Sequence, residues 1–347
     1  MTLLRTRPRP SAARRRTSAV LAVALAGAVA ASLAACSSTS DAKAAGGGAT
    51  LRVGFISNTP DPAGPEGWAD AHHELLPALK GAGIGKISWV PFKNGPDLSA
   101  AVQGGSIDLA TLGDTPALTA KAGGIDTSLV NQSAVGQDAW LVGAKGVTSL
   151  EDLKGKTIAT QVGSYMYRYL VALLQQKGLS DDVKITHVYT TNAVASLQSG
   201  GIAAYAAPAG QLTGVLTAQG YPVIDKASAD HPDLLGTGAT IITKAELAAH
   251  PGLPDAWNAA RAKAIGEIQA DPDAFYAFAA KASKTTVDVV KVAQPVTLYP
   301  AEPFTDKGLK LLQGTDEFLA ENKLSKGVVD LAAWRVPASS AASTPAG

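Results

Sequence analysis

Residues 92–101 read Phe92-Lys93-Asn94-Gly95-Pro96-Asp97-Leu98-Ser99-Ala100-Ala101, and Gly105-Ser106-Ile107-Asp108-Leu109 and Gly113-Asp114-Thr115-Pro116 follow closely. The apolar run 87–92 ends as a strand, and Pro96 falls in the first turn of a helix over 95–102, where its missing N–H costs nothing. A second apolar run, 107–112, is cut by Gly113-Asp114-Thr115-Pro116, which opens another helix. Strand, helix, strand, helix in that order is a βαβ pattern, and such units build mainly parallel sheets.

Outward from this stretch the rhythm continues. Upstream, 51–56 reads as a strand, and Trp68, Leu75, Leu76 and Leu79 then recur at helical spacing. Downstream, 128–130 and 139–142 read as strands passing toward a second lobe. That lobe opens with Ser149-Leu150-Glu151-Asp152-Leu153-Lys154-Gly155 and continues through a strand at 157–160. A helix follows Gly163-Ser164 and stops at Gly178, the expected helix terminator. Strands at 183–188 and 202–205 alternate with helices at 193–198 and 211–218, and a strand at 239–242 leads back. From Pro254 onward the pattern is helical, with Asp271 and Thr305 as caps. The expected organisation is lobe I over 51–137 and 247–337 and lobe II over 138–246. The closing helices are expected to pack on lobe I.

The ends read differently. Six arginines (Arg5, Arg7, Arg9, Arg14, Arg15, Arg16) precede an apolar run at 19–31 that is too short to span a bilayer, and together these form a secretion signal over 1–35. The run ends in Leu33-Ala34-Ala35-Cys36, which resembles a bacterial lipobox, and Cys36 is the only cysteine of the chain. It is expected to carry a lipid anchor, with a Ser/Ala/Gly/Thr-rich tether over 36–50 and a disordered tail over 338–347. Removing the leader's six arginines takes the formal net charge from +1 to −5, so the mature chain offers no electrostatic footprint for nucleic acid. The hydrophobic content of 46% suffices for one large core or two smaller ones.

Catalytic patterns are missing from the sequence. There is no Gly-x-Ser-x-Gly elbow, and His72-His73-Glu74 lacks the second histidine of a zinc-protease motif. The remaining histidines, His187, His231 and His250, are isolated, and no metal site or cofactor is expected. Gly81-Ala82-Gly83-Ile84-Gly85-Lys86 departs from both the phosphate-binding and dinucleotide patterns and reads as a helix-ending turn. What remains is a set of strand-to-helix junctions: Ser57-Asn58-Thr59, Asp114-Thr115, Gly163-Ser164-Tyr165 and Thr190-Thr191-Asn192. Each sets hydroxyl or amide groups beside the free N–H groups of a helix start, where anions are attracted, although capping alone explains any one of them. Open α/β sheets bind ligands at such carboxyl ends of strands.

The quoted segments of 92–116 resemble the first lobe of aliphatic-sulfonate-binding proteins, in the taurine, nitrate and thiamine-precursor group of ABC solute-binding proteins. Ser149 to Lys156, Gly163-Ser164 and Leu197 to Ile202 resemble the second lobe, and Glu317-Phe318-Leu319-Ala320-Glu321-Asn322-Lys323-Leu324 through Trp334 resembles the C-terminal helix and tail. The resemblance implies an α/β type II periplasmic-binding-protein fold, two α/β lobes around a hinge and ligand cleft. It implies ligand contacts from Ser57, Asn58, Asp114, Thr115, Gly163, Ser164 and Tyr165, with Asn192 and Tyr205 as further candidates. One departure stands out: Ala203-Ala204-Tyr205 runs into Pro208-Ala209-Gly210 where the family has an aromatic wall and an acid.

The function so implied is that of a monomeric, lipid-anchored extracytoplasmic binding protein, not an enzyme, serving an ABC permease and ATPase. An aliphatic sulfonate or related small organic anion is the first choice of ligand. Nitrate, taurine, a thiamine-type pyrimidine and a transport-inactive sensory role are the alternatives. Micromolar binding needs about 8 kcal/mol, and three to five hydrogen bonds of roughly 1.5 to 3 kcal/mol to a charged group would supply it.

Overall fold

The computed structural model describes residues 48–337; the expected leader, Cys36, most of the tether and the tail lie outside the described residues. The chain runs β1 (Ala49–Ile56), α1 (Pro65–Ala71), α2 (Leu75–Leu79), β2 (Ile84–Phe92), α3 (Gly95–Gln103), β3 (Leu109–Gly113), α4 (Asp114–Ala122) and β4 (Thr127–Gln137). It continues through β5 (Ala139–Gly143), β6 (Thr157–Thr160), α5 (Tyr165–Gln176), β7 (Lys184–His187), α6 (Ala193–Gln198), β8 (Ala204–Pro208), α7 (Gln211–Ala218), β9 (Val223–Lys226) and α8 (Ala227–Asp230). Then come β10 (Gly236–Thr243), α9 (Lys244–Ala249), α10 (Leu253–Ala270), α11 (Pro272–Ala282), α12 (Val287–Ala293), α13 (Asp306–Glu321) and α14 (Leu331–Trp334).

Two five-stranded sheets result, ordered β2-β1-β3-β10-β4 and β7-β6-β8-β5-β9. In the first, β1 pairs in parallel with β2 and β3, and β10 runs antiparallel to both β3 and β4. In the second, β6 is parallel to β7 and β8, and β5 is antiparallel to β8 and β9. The same design thus appears twice: a parallel half whose carboxyl ends point one way, completed by strands of the opposite sense.

Alternation along β1 explains how the first sheet is covered. Leu51 and Val53 are fully buried and face Trp68, Leu75, Leu79, Trp257 and Phe275 of α1, α2, α10 and α11. On the other face α3 lies so close that a Cβ on Gly54 would come within 2.3 Å of the Leu98 side chain. That face is filled by Leu98, Ile107, Leu112, Leu118, Leu312 and Trp334. The second sheet is sandwiched likewise, by Met166, Tyr169, Leu170 and Leu173 of α5 on one side and by Leu197, Leu212 and Leu216 on the other. No helix among the described residues is long and apolar enough to cross a membrane.

Two expected boundaries change. Residues 236–243, placed in lobe II by the sequence, form β10 and bond to β3 and β4, so they belong to the first sheet. The strand expected at 128–130 extends to Gln137 through buried Asn131, Gln132 and Ser133. These polar residues hide the strand in the sequence, yet two of them bond across to α10: Asn131 donates to Asn258 Oδ1 at 2.7 Å and the Ser133 carbonyl accepts from Arg261 at 2.7 Å. The chain crosses between sheets at Asp138, the single residue separating β4 from β5, and returns through 227–235.

Candidate functional site

At the carboxyl end of β1 the Ser57 N–H donates to the Phe92 carbonyl at 2.9 Å. The Ser57 hydroxyl accepts from the Thr59 N–H at 3.0 Å, turning the chain so that Asn58 is exposed. At the end of β2, Asn94 caps α3 by accepting from the Asp97 N–H at 2.8 Å. From the second sheet, Gln161 after β6 donates its amide to the Lys93 carbonyl at 3.1 Å, and the Tyr189 hydroxyl after β7 donates to Asp97 at 3.3 Å. The carboxyl ends of the two parallel halves therefore face one another and touch. Gly163, at φ +83°, completes the contact, since a Cβ there would lie 3.0 Å from Pro96 Cγ. Only glycine takes that backbone readily.

Tyr165 fills the middle of this seam. Its ring lies against Gly113 and Gly236, where a Cβ on Gly236 would approach it to 2.7 Å, and its hydroxyl donates to the Asp138 carbonyl at 3.3 Å. Burial, helped by the charges of Asp138 and Asp114, pushes the Tyr165 pKa far above the ordinary phenol value, so the hydroxyl stays neutral. Asp138 is tied on every side: its carboxylate accepts from the Ser228 N–H at 2.9 Å, the Ser228 hydroxyl at 2.7 Å and the Trp140 indole at 2.6 Å. One crossing segment is thereby bonded to the other, at Ser228 of α8.

Several expected contacts are engaged inside the protein instead. Asp114 is fully buried, and its carboxylate accepts from the Thr115 N–H and hydroxyl, from the Thr237 N–H at 2.8 Å and hydroxyl at 3.3 Å, and from the Thr315 hydroxyl at 3.4 Å. It knots α4, β10 and α13 together and has no lone pair left to face a cleft. Ser164 is a buried cap, accepting from the Tyr167 N–H at 3.3 Å and donating to the Gln161 carbonyl. Tyr205 is 0% exposed, donates to the Val188 carbonyl at 2.8 Å, and is pushed up to about 12 by burial. That leaves Ser57, Asn58, Gly163 and Tyr165 at or beside the seam, with Asn192 exposed beyond β7. Thr115 is buried but lines, with Gly163, a cavity of about 610 Å³ beside the seam.

The sequence reading missed Gln161, Asp97 and Asp138, whereas Tyr189 is among the tyrosines expected to be able to face the cleft. Of the three missed, only Asp138 had a local signal, an acid lying between two apolar strands. Arg168 is a further buried charge, donating to the Leu234 and Leu235 carbonyls at 2.9 Å each. Burial lowers its pKa, and Asp114 and Asp233 act against that shift. No group of three or more His, Cys, Asp or Glu side chains among the described residues is placed to hold a metal ion.

Comparison with known proteins places the fold. Residues 82–275 match the protein family described as NMT1/THI5 like. An Escherichia coli (strain K12) protein named for aliphatic sulfonate binding is 35% identical over 125 residues, covering 35% of this chain and 39% of that one, so the aligned part spans well under half of that relative. The solved alkanesulfonate-binding protein of Xanthomonas axonopodis pv. citri, bound to MOPS, superposes with a TM-score of 0.69 at 26% identity over 83% of this chain and 99% of that one. A desulfurization enzyme superposes with a TM-score of 0.63 at 18% identity over 83% and 96% of the two chains, a likeness of fold alone. The two α/β lobes form a periplasmic-binding-protein fold.

Proposed function

The chain belongs to the NMT1/THI5-like family, and from that premise we propose that it is the extracytoplasmic substrate-binding component of an ABC importer, taking an aliphatic sulfonate or related small organic anion between its lobes. The observation that carries this reading is the seam itself. Strand ends of both sheets meet through Gln161–Lys93 and Tyr189–Asp97, and among the described residues two chain crossings, bonded at Asp138, connect the lobes. Such a pair of lobes can open and close, and a ligand held between them stabilises the closed state by its differential affinity. Ser57, Asn58, Gly163, Tyr165 and Asn192 are the candidate contacts. The acceptor-rich sulfonate suits the amide and hydroxyl donors offered there.

Anchoring through Cys36 would hold the domain at the membrane near a permease and ATPase, because two acyl chains give a stable attachment. No chemical step is assigned to the site, and the sole cysteine is at the expected lipidation position. Nitrate, taurine, a pyrimidine precursor and a purely sensory role remain the competing assignments, and one titration series separates them. Ethanesulfonate, taurine, nitrate, sulfate and a thiamine-type pyrimidine are titrated into the full chain with thermal unfolding as readout. A ligand present at 100 times its Kd stabilises by about 2.7 kcal/mol. We expect a sulfonate to raise the midpoint and Ser57→Ala/Asn58→Ala to remove most of the rise. No rise with any sulfonate would overturn the ligand class.

A further inference from the structure

The turn that carries Gly163 is held from behind by a histidine. Residues 161–164 follow β6 as a tight turn, closed by the Ser164 N–H donating to the Gln161 carbonyl at 3.2 Å, with Gly163 at φ +83°. Two of its residues reach the other lobe, Gln161 through the Lys93 carbonyl and Gly163 against Pro96. Between them the Val162 N–H donates to Nδ1 of His187, the last residue of β7, at 3.2 Å. A backbone N–H can only donate, so Nδ1 presents a lone pair, and the bond selects the neutral imidazole with its proton on Nε2. The same ring packs edge-on against Tyr189, with centroids 4.9 Å apart at 84°, and the Tyr189 hydroxyl bonds Asp97 of the first lobe. One exposed imidazole thus supports both the Gln161–Lys93 and the Tyr189–Asp97 contacts.

Protonation reverses that bond. An imidazolium carries N–H groups at both nitrogens and accepts nothing, so a charged His187 would turn a donor toward the Val162 N–H. Histidine is the side chain whose ordinary charge change falls between about pH 5 and 8. The neighbouring elements offer little to compensate. β6, paired with β7, has no charged residue between Thr157 and Thr160, nor has α6. Lys184 of β7 alternates to the opposite face of the strand from His187. On α5, Arg168 is spent on the Leu234 and Leu235 carbonyls, Tyr165 on the Asp138 carbonyl and Tyr169 on Asp225, which leaves Tyr167. Across the seam stand Lys93 and Asp97, and Asp97 already accepts from Asn94 and Tyr189. We propose that His187 is a pH-sensitive positioning residue: uncharged, it holds the 161–164 turn where it meets the first lobe, and charged, it releases the turn, so that ligand is kept at neutral pH and given up in acid. This rests on the reading of the strand-end seam as the ligand site.

The test is calorimetric titration of the full chain with ethanesulfonate at a series of values from about pH 8 to about pH 5. Affinity is expected to fall about three- to tenfold on acidification, the effect of losing one hydrogen bond. His187→Ala should bind weakly at every pH. In His187→Asn the side-chain oxygen stands where Nδ1 stood and does not titrate, so affinity should recover from the alanine level and stay level with pH. Affinity that rises in acid would mean that the imidazolium attracts the anion directly, and would overturn the proposal. So would an acid loss that persists in His187→Asn. A ligand-free readout separates this assignment from that of the ligand: in nitrogen-labelled protein the Val162 amide resonance should follow the His187 imidazole through its titration. Val162 following the imidazole supports the proposal even if ethanesulfonate fails to bind, a failure that falls on the ligand class. A Val162 signal indifferent to the imidazole overturns it in either case.

Discussion

Asp316 lies fully buried on α13, its Oδ2 accepting the Val329 N–H at 2.8 Å and its Oδ1 without a partner among the described residues. Burial pushes its pKa above the ordinary carboxylate value, the Val329 hydrogen bond acts against the shift, and Glu317 adds to it. A carboxyl with a raised folded pKa binds more protons folded than unfolded, so stability falls as pH rises from the ordinary carboxylate range through the folded value. Asp316→Asn should flatten that part of the stability profile, measured by chemical unfolding at a series of pH values in sulfonate-free buffer. An unchanged slope would locate the raised group elsewhere, with Glu246, also raised chiefly by burial, the next to replace. At this scale the sequence was partly legible. Ser164, Asp271 and Thr305 read as caps and are caps. Asp114 read equally well as a ligand contact, because sequence does not reveal that Thr237 and Thr315, distant in the chain, supply its donors.

Gly163 belongs to the scale of elements, where the turn between β6 and α5 meets the start of α3. Its φ of +83° favours glycine, and an alanine methyl would lie 3.0 Å from Pro96 of the other lobe. Gly163→Ala should cost about 1 kcal/mol of stability from backbone strain alone. It should also weaken ligand binding beyond that, because the closed seam has to part to admit the methyl. Comparison of unfolding midpoints with and without ligand separates the two effects. An equal loss in both would confine the glycine to its turn. The βαβ rhythm made most strands and helices legible, since periodicity is local. The pairing of β10 with β3 and β4 was not, because β10 follows the second lobe in sequence and nothing in Gly236–Thr243 names its partners. The cross-lobe bonds from Gln161 and Tyr189 were equally hidden.

The whole molecule turns on two crossings, and Asp138 bonds one to the other. Two hydrogen bonds from Ser228 to this carboxylate oppose any independent rotation of 138 and 228, and the Trp140 indole holds the carboxylate in place for them. Asp138→Ala would free Ser228 and Trp140 together, so the ligand-free protein should populate more open arrangements. Small-angle scattering should then give a larger radius of gyration for the variant without ligand and the same radius with saturating ligand. Apparent affinity falls with the closed fraction, and each loss of about 1.4 kcal/mol in closing free energy costs tenfold. The fold should survive, since the two sheets keep separate cores on both faces. An unchanged radius together with weaker binding would mean that Asp138 shapes the cleft through Tyr165, whose hydroxyl bonds its carbonyl, and does not restrain the hinge. Tyr165→Phe decides between these: it removes that one hydrogen bond, leaves the carboxylate clasp in place, and should therefore alter affinity without altering the radius.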